Sequence, residues 1–320
     1  MNVIGLDIGG TKCAVVLANT DGKKITILKK KRFATDNRQP AMEIIDQFCS
    51  IIDQFTKKTP AEAIGISCGG PLDSRTGVIK RPPNLPMWDD IHICDILSKK
   101  YGIPARLQND ANACALAEWM YGAGRGTRNM AFLTFGTGLG AGLILDGRLY
   151  CGTNDNGGEF GHIRLSENGP VGYGKVGSFE GFCSGGGIAQ LGAMLGLQAF
   201  MNGETPAYYN PKTAPVGITA QTIAEAAMKG DKTAKEVYRL SGEYLGRGLS
   251  ILIDILNPER IVIGSVFKRA KNLLLPSCMK VIEREALPLS RKVCKIVPAA
   301  LDAELGDFAA VTTAVYTTDK

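Results

Sequence analysis

The fold of this chain is decided by the stretch Gly5-Leu6-Asp7-Ile8-Gly9-Gly10-Thr11-Lys12-Cys13-Ala14-Val15-Val16-Leu17. An apolar run ends in an aspartate, a Gly-Gly-Thr turn follows, and a second apolar run begins, which predicts a strand, a tight turn and a strand. Glycines adopt positive φ and let the backbone approach a bound group, while successive N–H groups form a concavity that holds an anion. Asp7 would repel a bare phosphate unless a divalent cation lay between them. The stretch therefore predicts a hairpin for Mg-nucleotide phosphates, and the alternative is a plain surface hairpin.

Length and composition indicate a globular protein of two lobes. The 320 residues are many for one core, and the contents of 45% hydrophobic and 21% charged residues are ordinary. The first residues lead straight into the hairpin without a signal sequence, and no apolar stretch is long enough to span a bilayer. We therefore expect a cytoplasmic protein without a membrane partner.

Cysteine, histidine and charge usage exclude several classes of site. The nine cysteines are scattered without a C-x-x-C pair, which predicts reduced, mostly buried thiols. Only His92 and His162 are present, so a His-rich metal site is excluded. The net charge is +6, and its one basic cluster, Lys29 to Arg32, is predicted to be a solvated strand end rather than a nucleic-acid surface.

Hydrophobic patterns predict an α/β chain with an internal duplication. A second strand, glycine turn and strand occupy 131–145, with the turn at 136–140. A Rossmann fingerprint would need a helix after this turn, whereas the sequence there favours a strand. An irregular insertion is predicted at 196–217. The remaining elements are strands at 3–7, 13–18, 25–33, 63–67, 105–108 and 260–263, and helices at about 40–57, 111–120, 218–229, 231–256 and 305–317.

Asp110 is the strongest candidate for a catalytic residue. It follows a buried strand in the sequence Asn109-Asp110-Ala111-Asn112, and ligand sites in α/β sheets favour the carboxyl ends of strands. A carboxylate placed there could accept the proton of an attacking hydroxyl, as in phosphoryl transfer. Asp and Asn are also common helix N-caps, so capping is the alternative role.

A second polar cluster lies among glycines at 157–162 and includes Glu159 and His162. A carboxylate and an imidazole held by glycine-rich backbone suit the recognition of several sugar hydroxyls, and Glu180 supplies a third polar group. The alternative is that these are ordinary polar loop residues.

Together these motifs resemble the ROK family of bacterial sugar kinases and sugar-responsive repressors, within the actin-like ATPase superfamily. The resemblance covers essentially the full length. It implies an α/β, two-lobed actin-like ATPase (ribonuclease H-like) fold with duplicated mixed sheets and flanking helices. Its anchors, in chain order, are residues 7–12, 65–73, 83–85, 108–112, 136–140, 158–162 and 305–307.

The resemblance also implies a role for each site residue. Asp110 matches the catalytic base for the sugar 6-hydroxyl. The sugar-binding positions are Gly70, Asn84, Asn109, Glu159, His162 and Glu180. The positions for ATP are Asp7, where Mg²⁺ is expected, Gly9, Gly10, Thr11, Lys12, Gly136, Thr137, Gly138 and Gly264. The turn Gly264-Ser265-Val266 has fewer glycines than is usual in the family.

The predicted domains follow the same resemblance. Residues 1–110 form a smaller N-terminal lobe that is closed by a C-terminal helix at 305–320. Residues 111–304 form a larger lobe with a sugar loop at 152–185 and a nucleotide side at 260–270. A homodimer is expected.

One departure from the family concerns zinc. Many members carry a loop C-x-C-G-x-x-G-C-x-E whose cysteines join the histidine of the Glu-x-Gly-His motif as ligands. This chain has Val171, Tyr173 and Ser178 at the three cysteine positions. One remaining ligand cannot hold a tetrahedral zinc, so no structural zinc is expected, and His162 is available to the sugar.

The sequence therefore predicts an ATP:hexose 6-phosphotransferase that acts on a hexose or an N-acylhexosamine. The alternatives are a sugar-sensing regulator of the same family and an inactive sugar-binding relative. Regulators carry a helix-turn-helix before the first hairpin, and only six residues precede Asp7 here. The retained Asp110 and the two phosphate turns speak against an inactive relative.

Overall fold

The computed structural model describes residues 1–317, apart from the side chain of Asp302. The chain divides into two compact units. Unit 1 consists of Met1–Phe132, Gly142–Gly158 and Ala300–Lys320, and unit 2 consists of Leu133–Ala141 and Glu159–Ala299.

Strands and helices alternate along the chain. The first part contains β1 (Asn2–Ile8), β2 (Lys12–Thr20), β3 (Ile25–Ala34), α1 (Ala41–Thr56), β4 (Ala63–Cys68), β5 (Leu72–Asp73), β6 (Val78–Ile79), α2 (Ile93–Tyr101), β7 (Ala105–Asn109) and α3 (Asp110–Tyr121). The second part contains β8 (Met130–Phe135), β9 (Leu139–Leu145), β10 (Arg148–Tyr150), β11 (Val171–Gly172), β12 (Lys175–Val176), α4 (Phe179–Phe182), α5 (Gly185–Met201), α6 (Ala220–Met228), α7 (Lys232–Leu256), β13 (Arg260–Ile263), α8 (Val266–Glu285), α9 (Pro288–Val293), β14 (Lys295–Pro298) and α10 (Leu305–Val315).

The sheet of unit 1 has the strand order β3-β2-β1-β4-β7. The chain makes an antiparallel meander through β1, β2 and β3, and then adds β4 and β7 parallel to β1. All six residues of β4 are buried, as expected for a central parallel strand that is covered on both faces.

Helix α1 covers one face of this sheet because its apolar residues recur at helical spacing. Ile44, Phe48 and Ile52 are buried and belong to one core cluster with Leu6, Val15 and other residues of the sheet. The opposite face carries Val3 and Val16, which form a second cluster with Val311 and Ala314 of α10. The sheet is therefore buried on both sides.

Two glycines in the sheet allow α10 to lie directly on the strands. A Cβ at Gly65 would be 2.1 Å from the carbonyl oxygen of Ala310, and a Cβ at Gly5 would be 3.0 Å from the amide nitrogen of Val311. At the far end of the helix, Arg106 donates a hydrogen bond of 2.6 Å to the carbonyl oxygen of Ala314. These contacts fix α10 across β1 and β4.

A second five-stranded sheet has the order β10-β9-β8-β13-β14. The pair β9–β10 is antiparallel and the pair β13–β14 is parallel, so this sheet is also mixed. Two multi-strand mixed sheets with flanking helices are the predicted fold class.

Three details differ from the sequence analysis. Helix α3 packs on α10 and lies in unit 1, whereas the predicted boundary put residue 111 and those after it in the larger lobe. The predicted insertion 196–217 begins inside α5, which runs to Met201; its uncharged, apolar sequence hid the end of the helix. The second glycine turn is confined to 136–138, because Leu139 already belongs to β9. Residues 318–320 of the predicted closing helix lie outside the described residues.

All nine cysteines carry free thiols, and six of them are buried. The burial agrees with the prediction that the thiols are mostly buried. Within residues 1–317, none of the helices has the length and apolar character that crossing a membrane requires.

Candidate functional site

Three predicted motifs meet at one edge of the unit 1 sheet. In the parallel register, Asp7 pairs with Ser67, and Ser67 pairs with Gln108, so β1, β4 and β7 end side by side. The segments that follow these strand ends are the Gly9–Lys12 turn, the loop with Gly70, and Asp110. The carboxyl edge of parallel strands is where α/β sheets bind ligands.

The Gly9–Lys12 turn is held rigidly by the segment after β3. The hydroxyl of Thr35 donates to the carbonyl oxygen of Gly9 at 2.7 Å, and its amide donates to the carbonyl oxygen of Thr11 at 3.0 Å. A cavity of about 570 Å³ opens beside the turn. Its lining consists of Gly10, Thr11, residues 34–39 and Gln47.

The reason for the two glycines differs from the one predicted. Neither Gly9 nor Gly10 has a positive φ. Both positions require glycine because there is no room for a side chain. A Cβ at Gly9 would lie 2.9 Å from the carbonyl oxygen of Lys12, and a Cβ at Gly10 would lie 2.6 Å from Asn84. Asn84, a predicted sugar residue, is thus placed directly against the predicted phosphate turn.

Asn109 and Asp110 divide the two roles that the sequence left open. The N-cap of α3 is Asn109, whose side-chain oxygen accepts from the amides of Ala111 and Asn112. Its side-chain nitrogen lies near Gly70, where a Cβ would approach it to 3.3 Å. Asp110 is the first helical residue, and one oxygen of its carboxyl group accepts from the amide of Ala111 at 2.8 Å. Asn109 is therefore the cap, and Asp110 shares with it only the amide of Ala111.

Three acidic side chains gather around the end of β1. The pKa of Asp7 is raised to about 6, first by desolvation and then by the charges of Asp110 and Asp307. Lys12 and Arg32 oppose this shift. Desolvation also raises the pKa of Asp110, against the hydrogen bond from the amide of Ala111. Asp110 nevertheless keeps accessible surface, so a ligand can reach it.

Asp307 belongs to this group, although the sequence analysis gave it no role. It lies in the first turn of α10, it is buried, and Lys30 of β3 forms an ion pair with it. The preceding Gly306 faces Asp7, since a Cβ there would lie 3.0 Å from a carboxyl oxygen of Asp7. The sequence showed the motif 305–307, but it could not show that Asp307 pairs with Lys30, which lies 277 residues away along the chain.

The chemistry of this edge fits a magnesium ion that is bound together with phosphates. Mg²⁺ usually takes one or two protein carboxylates and keeps several water ligands. Asp7 supplies such a carboxylate, partly exposed at the end of β1, with Asp110 close enough to affect its pKa. Within residues 1–317, no three His, Cys, Asp or Glu side chains form a group that could hold a metal ion unaided.

In unit 2, the second glycine turn is docked on the start of α5. The amides of Gly185 and Gly186 donate to the carbonyl oxygens of Gly136 and Thr137, at 2.7 and 3.3 Å. Glu180, a predicted sugar residue, accepts a hydrogen bond of 2.9 Å from the amide of Leu139. A Cβ at Gly138 would lie 2.6 Å from the same carboxyl oxygen. Glu180 thus packs tightly on the turn that was predicted to bind phosphate.

His162 and Glu180 lie near each other in unit 2. Gly161, next to His162, faces Glu180, because a Cβ at that glycine would be 3.5 Å from the Cβ of Glu180. Glu159 precedes the short 3-10 turn Phe160–His162, and its carbonyl oxygen accepts from the amide of His162 at 3.1 Å. The imidazole of His162 is exposed.

The loop at the predicted zinc-cysteine positions is held by other contacts. Val171 forms two hydrogen bonds with the side-chain amide of Gln190, each of 2.9 Å. The ring of Tyr173 meets the ring of His162 edge to face, with centroids 6.2 Å apart. Ser178 is the N-cap of α4.

Gly264 lies at the end of β13, beside the strand that leads into the second glycine turn. Its amide donates to the carbonyl oxygen of Leu133 at 3.0 Å. The next residue, Ser265, has φ 52° and ψ −111°, a conformation that glycine adopts far more easily. Ser265, in a turn where the family resemblance implies more glycines, is therefore strained.

Comparisons with known proteins agree with these motifs. The sequence profile of the ROK family matches residues 3–318. A glucokinase from Thermotoga maritima is 32% identical over 285 residues, which cover 88% of this chain and 88% of that protein.

Two solved structures share the fold. A ROK-family glucokinase from Streptomyces griseus, in complex with glucose and AMPPNP, is 28% identical with a TM-score of 0.79, over 98% of this chain and 99% of that chain. A ROK-family transcriptional regulator, a homologue of the E. coli Mlc protein, is 26% identical with a TM-score of 0.84, over 98% of this chain and 77% of that chain. The predicted fold class is confirmed, and the chain belongs to the ROK family.

Proposed function

We propose that this protein is an ATP-dependent sugar kinase that phosphorylates the 6-hydroxyl of a hexose or an N-acylhexosamine. The observation that carries the proposal is the common edge of β1, β4 and β7, where the glycine turn, Gly70 and Asp110 follow aligned strand ends. Similarity to glucokinases supports the same reaction class.

Asp110 is the proposed general base. Its carboxylate would take the proton of the attacking sugar hydroxyl, which becomes a better nucleophile as the phosphoryl group is transferred. Desolvation raises the pKa of Asp110. A carboxylate with a raised pKa is a stronger base, and a pKa nearer to the working pH suits a general base. Because Asn109 caps the helix, the carboxyl group of Asp110 is used there only by the amide of Ala111, which donates to one of its two oxygens.

The Gly9–Lys12 turn and the Gly136–Gly138 turn are the proposed contacts for the phosphates of ATP. Asp7 would hold the magnesium ion, which neutralises charge on the phosphate oxygens. Gly264 is proposed to lie on the adenosine side. This part of the proposal rests on the family resemblance and on the tight packing around both turns.

The proposed sugar contacts are the residues that the family resemblance implies. Gly70, Asn84 and Asn109 belong to unit 1 and lie near the phosphate turn or the base. Glu159, His162 and Glu180 belong to unit 2. Carboxylate, amide and imidazole groups supply the donors and acceptors that several hydroxyls of one sugar ring require.

We also propose a cytoplasmic location and a homodimer. The nine free thiols support a reducing compartment. The homodimer rests on the resemblance to the family, and light scattering coupled to size-exclusion chromatography would test it.

A sugar-sensing regulator is the second candidate function. The solved regulator that resembles Mlc has a TM-score of 0.84 with this chain. Sugar binding without ADP formation, together with a shift of a labelled operator fragment in a gel, would favour this candidate.

A panel of ADP-release assays tests the proposed function. Glucose, N-acetylglucosamine, N-acetylmannosamine, allose, fructose and a β-glucoside would each be offered with Mg-ATP. We expect sugar-dependent ADP formation with at least one of them, and a product phosphorylated at the 6-position by NMR. ADP release that is no faster with any sugar than without one would contradict the proposal.

A further inference from the structure

The basic cluster on β3 was predicted to be a solvated strand end, but the strand divides it between two faces. Side chains alternate along a strand, and residues that pair across neighbouring strands share a face. Lys31 pairs with Val15, which lies in the core under α1. Lys29 belongs to the same face and donates to the carbonyl oxygen of Phe55 in α1 at 2.9 Å.

Lys30 and Arg32 belong to the opposite face, which carries Asp7. Lys30 has a structural partner, because it forms the ion pair with the buried Asp307. The guanidinium group of Arg32 is exposed, and among the described residues it has no hydrogen bond or ion pair. It is therefore a cation on the side of the sheet that carries the site, without a structural partner to explain it.

The register places Arg32 in one row with Asp7. Arg32 pairs with Ala14, and Ala14 pairs with Asp7. The backbones of Asp7 and Arg32 are therefore two strand spacings apart, about 10 Å. Between them Ala14 contributes only a methyl group. Lys12 precedes Ala14 by two residues and points to the same face. The influence of Arg32 on the carboxyl group of Asp7 agrees with this arrangement.

We propose that Arg32 is a further nucleotide-binding residue, which contacts the phosphate chain of ATP on the side of the Gly9–Lys12 turn away from Asp110. This inference rests on the proposed function, in which the phosphates lie over the turn and a magnesium ion lies at Asp7. If the phosphate chain extends from Asp7 over Ala14, the next side chain along this row that it reaches is Arg32. A guanidinium group binds phosphate oxygens through two parallel N–H bonds, whereas a lysine acts as a point charge.

Lys31 offers a matched control for the test. Both side chains are exposed and cationic, and they are neighbours in sequence, but they lie on opposite faces of β3. Arg32→Gln and Lys31→Gln therefore remove the same charge from the molecule and differ only in the face from which it is lost. Their thermal melting curves would show that both variants are folded.

The measurement is the binding of Mg-AMPPNP by isothermal titration calorimetry, accompanied by KM values for ATP and for the sugar. We expect Arg32→Gln to weaken AMPPNP binding and to raise the KM for ATP on the order of tenfold, the worth of a hydrogen bond to a charged group. The KM for the sugar should stay the same. Lys31→Gln should leave all three values within about twofold, and Arg32→Lys should recover part of the loss.

Each outcome bears on one of the two claims. Equal losses in Arg32→Gln and Lys31→Gln, or no loss in Arg32→Gln, would overturn the assignment of Arg32. A wild-type protein that binds AMPPNP but phosphorylates no sugar would contradict the proposed function, while the binding comparison would still decide the role of Arg32. A wild-type protein that binds no nucleotide would overturn both.

Discussion

Asn84 packs so closely on Gly10 that a Cβ at position 10 would lie 2.6 Å from both the Cβ and the carbonyl oxygen of Asn84. The predicted phosphate turn and a predicted sugar residue therefore share one surface. A change on one side of this contact must move the other side, since the two Asn84 atoms that face Gly10 are the backbone carbonyl oxygen and the Cβ, and neither is the far end of a flexible side chain.

Gly10→Ala should consequently weaken the use of both substrates. Overpacking of this kind destabilises the protein by about 1–3 kcal/mol, and if the turn and Asn84 are pushed apart to relieve it, the KM values for ATP and for the sugar should both rise. Gly69→Ala is the matched control, because it lies in the neighbouring loop and its Cβ would meet nothing within 4 Å. A Gly10→Ala variant with changed ATP kinetics but an unchanged KM for the sugar would contradict the shared contact.

Asp110→Asn should retain the fold and sugar binding but lose most of the phosphoryl transfer. The amide keeps the shape of the side chain but cannot accept the hydroxyl proton, and removal of a general base costs on the order of 10²–10⁴-fold in rate. Turnover is measured by ADP release, and sugar binding is measured by calorimetry as the control. More than half of wild-type turnover in this variant would rule out Asp110 as the base.

Asp7→Asn should stabilise the protein at pH 8 but not at pH 4. The folded pKa of Asp7 is about 6 against 3.8 for the free side chain, so the folded state binds more protons than the unfolded chain between these values. Stability from this group therefore falls as pH rises from about 4 to about 6 and stays lower above that range. The amide removes this penalty.

Melting temperatures of Asp7→Asn and wild type across pH 4 to 8 would test this. Asp36→Asn serves as a control whose effect should hardly change over this range, because hydrogen bonds from Arg38 lower the pKa of Asp36 and its contribution to stability changes only below about pH 4. A difference between Asp7→Asn and wild type that does not change with pH would contradict the assignment.

Ser265→Gly should raise the melting temperature. Backbone strain of this kind destabilises the folded state by about 1–3 kcal/mol, and glycine would relieve it. The greater freedom of glycine in the unfolded chain offsets about 0.5–1 kcal/mol of this stabilisation. A net stabilisation of about 1 kcal/mol is expected in urea titrations. Ser265→Ala keeps the strain and should show no such gain; equal behaviour of the two variants would show that φ is not the cause.

The purified protein should contain no stoichiometric zinc, and zinc chelators should leave its melting temperature unchanged. Gln190 and Tyr173 make contacts at the positions where zinc ligands would stand. EDTA should abolish kinase activity, and added Mg²⁺ alone should restore it. About one zinc per chain by elemental analysis, lost together with the fold on chelation, would overturn the alignment of this loop.

The sequence was sufficient for features that depend on local patterns. The hairpin at Gly9–Lys12, the strand before Asp110 and the glycine turn at 136–138 follow from hydrophobic periodicity and turn chemistry. The structure places each of them within a few residues of the prediction. The assignment of the N-cap to Asn109 rather than Asp110 needed backbone coordinates, since both residue types cap helices well.

Features that depend on pairing between distant segments could not be predicted. The ion pair between Lys30 and Asp307 joins β3 to α10, and no local pattern connects them. The contact between Gly10 and Asn84 likewise depends on how the loop before α2 folds back. The end of α5 was missed because an uncharged helix lacks the polar face that marks amphipathic periodicity.

The position of α10 also has a consequence for the order in which the protein matures during synthesis. Gly5 and Gly65 leave the ribosome before the helix that covers them, which is made some 240 residues or more later, on the order of half a minute afterwards at typical elongation rates. Until then, one apolar face of the first sheet has no cover, and nascent chains would be open to chaperones and to aggregation. The edge of the sheet that holds Asp7 is therefore complete only after α10 has packed on β1 and β4.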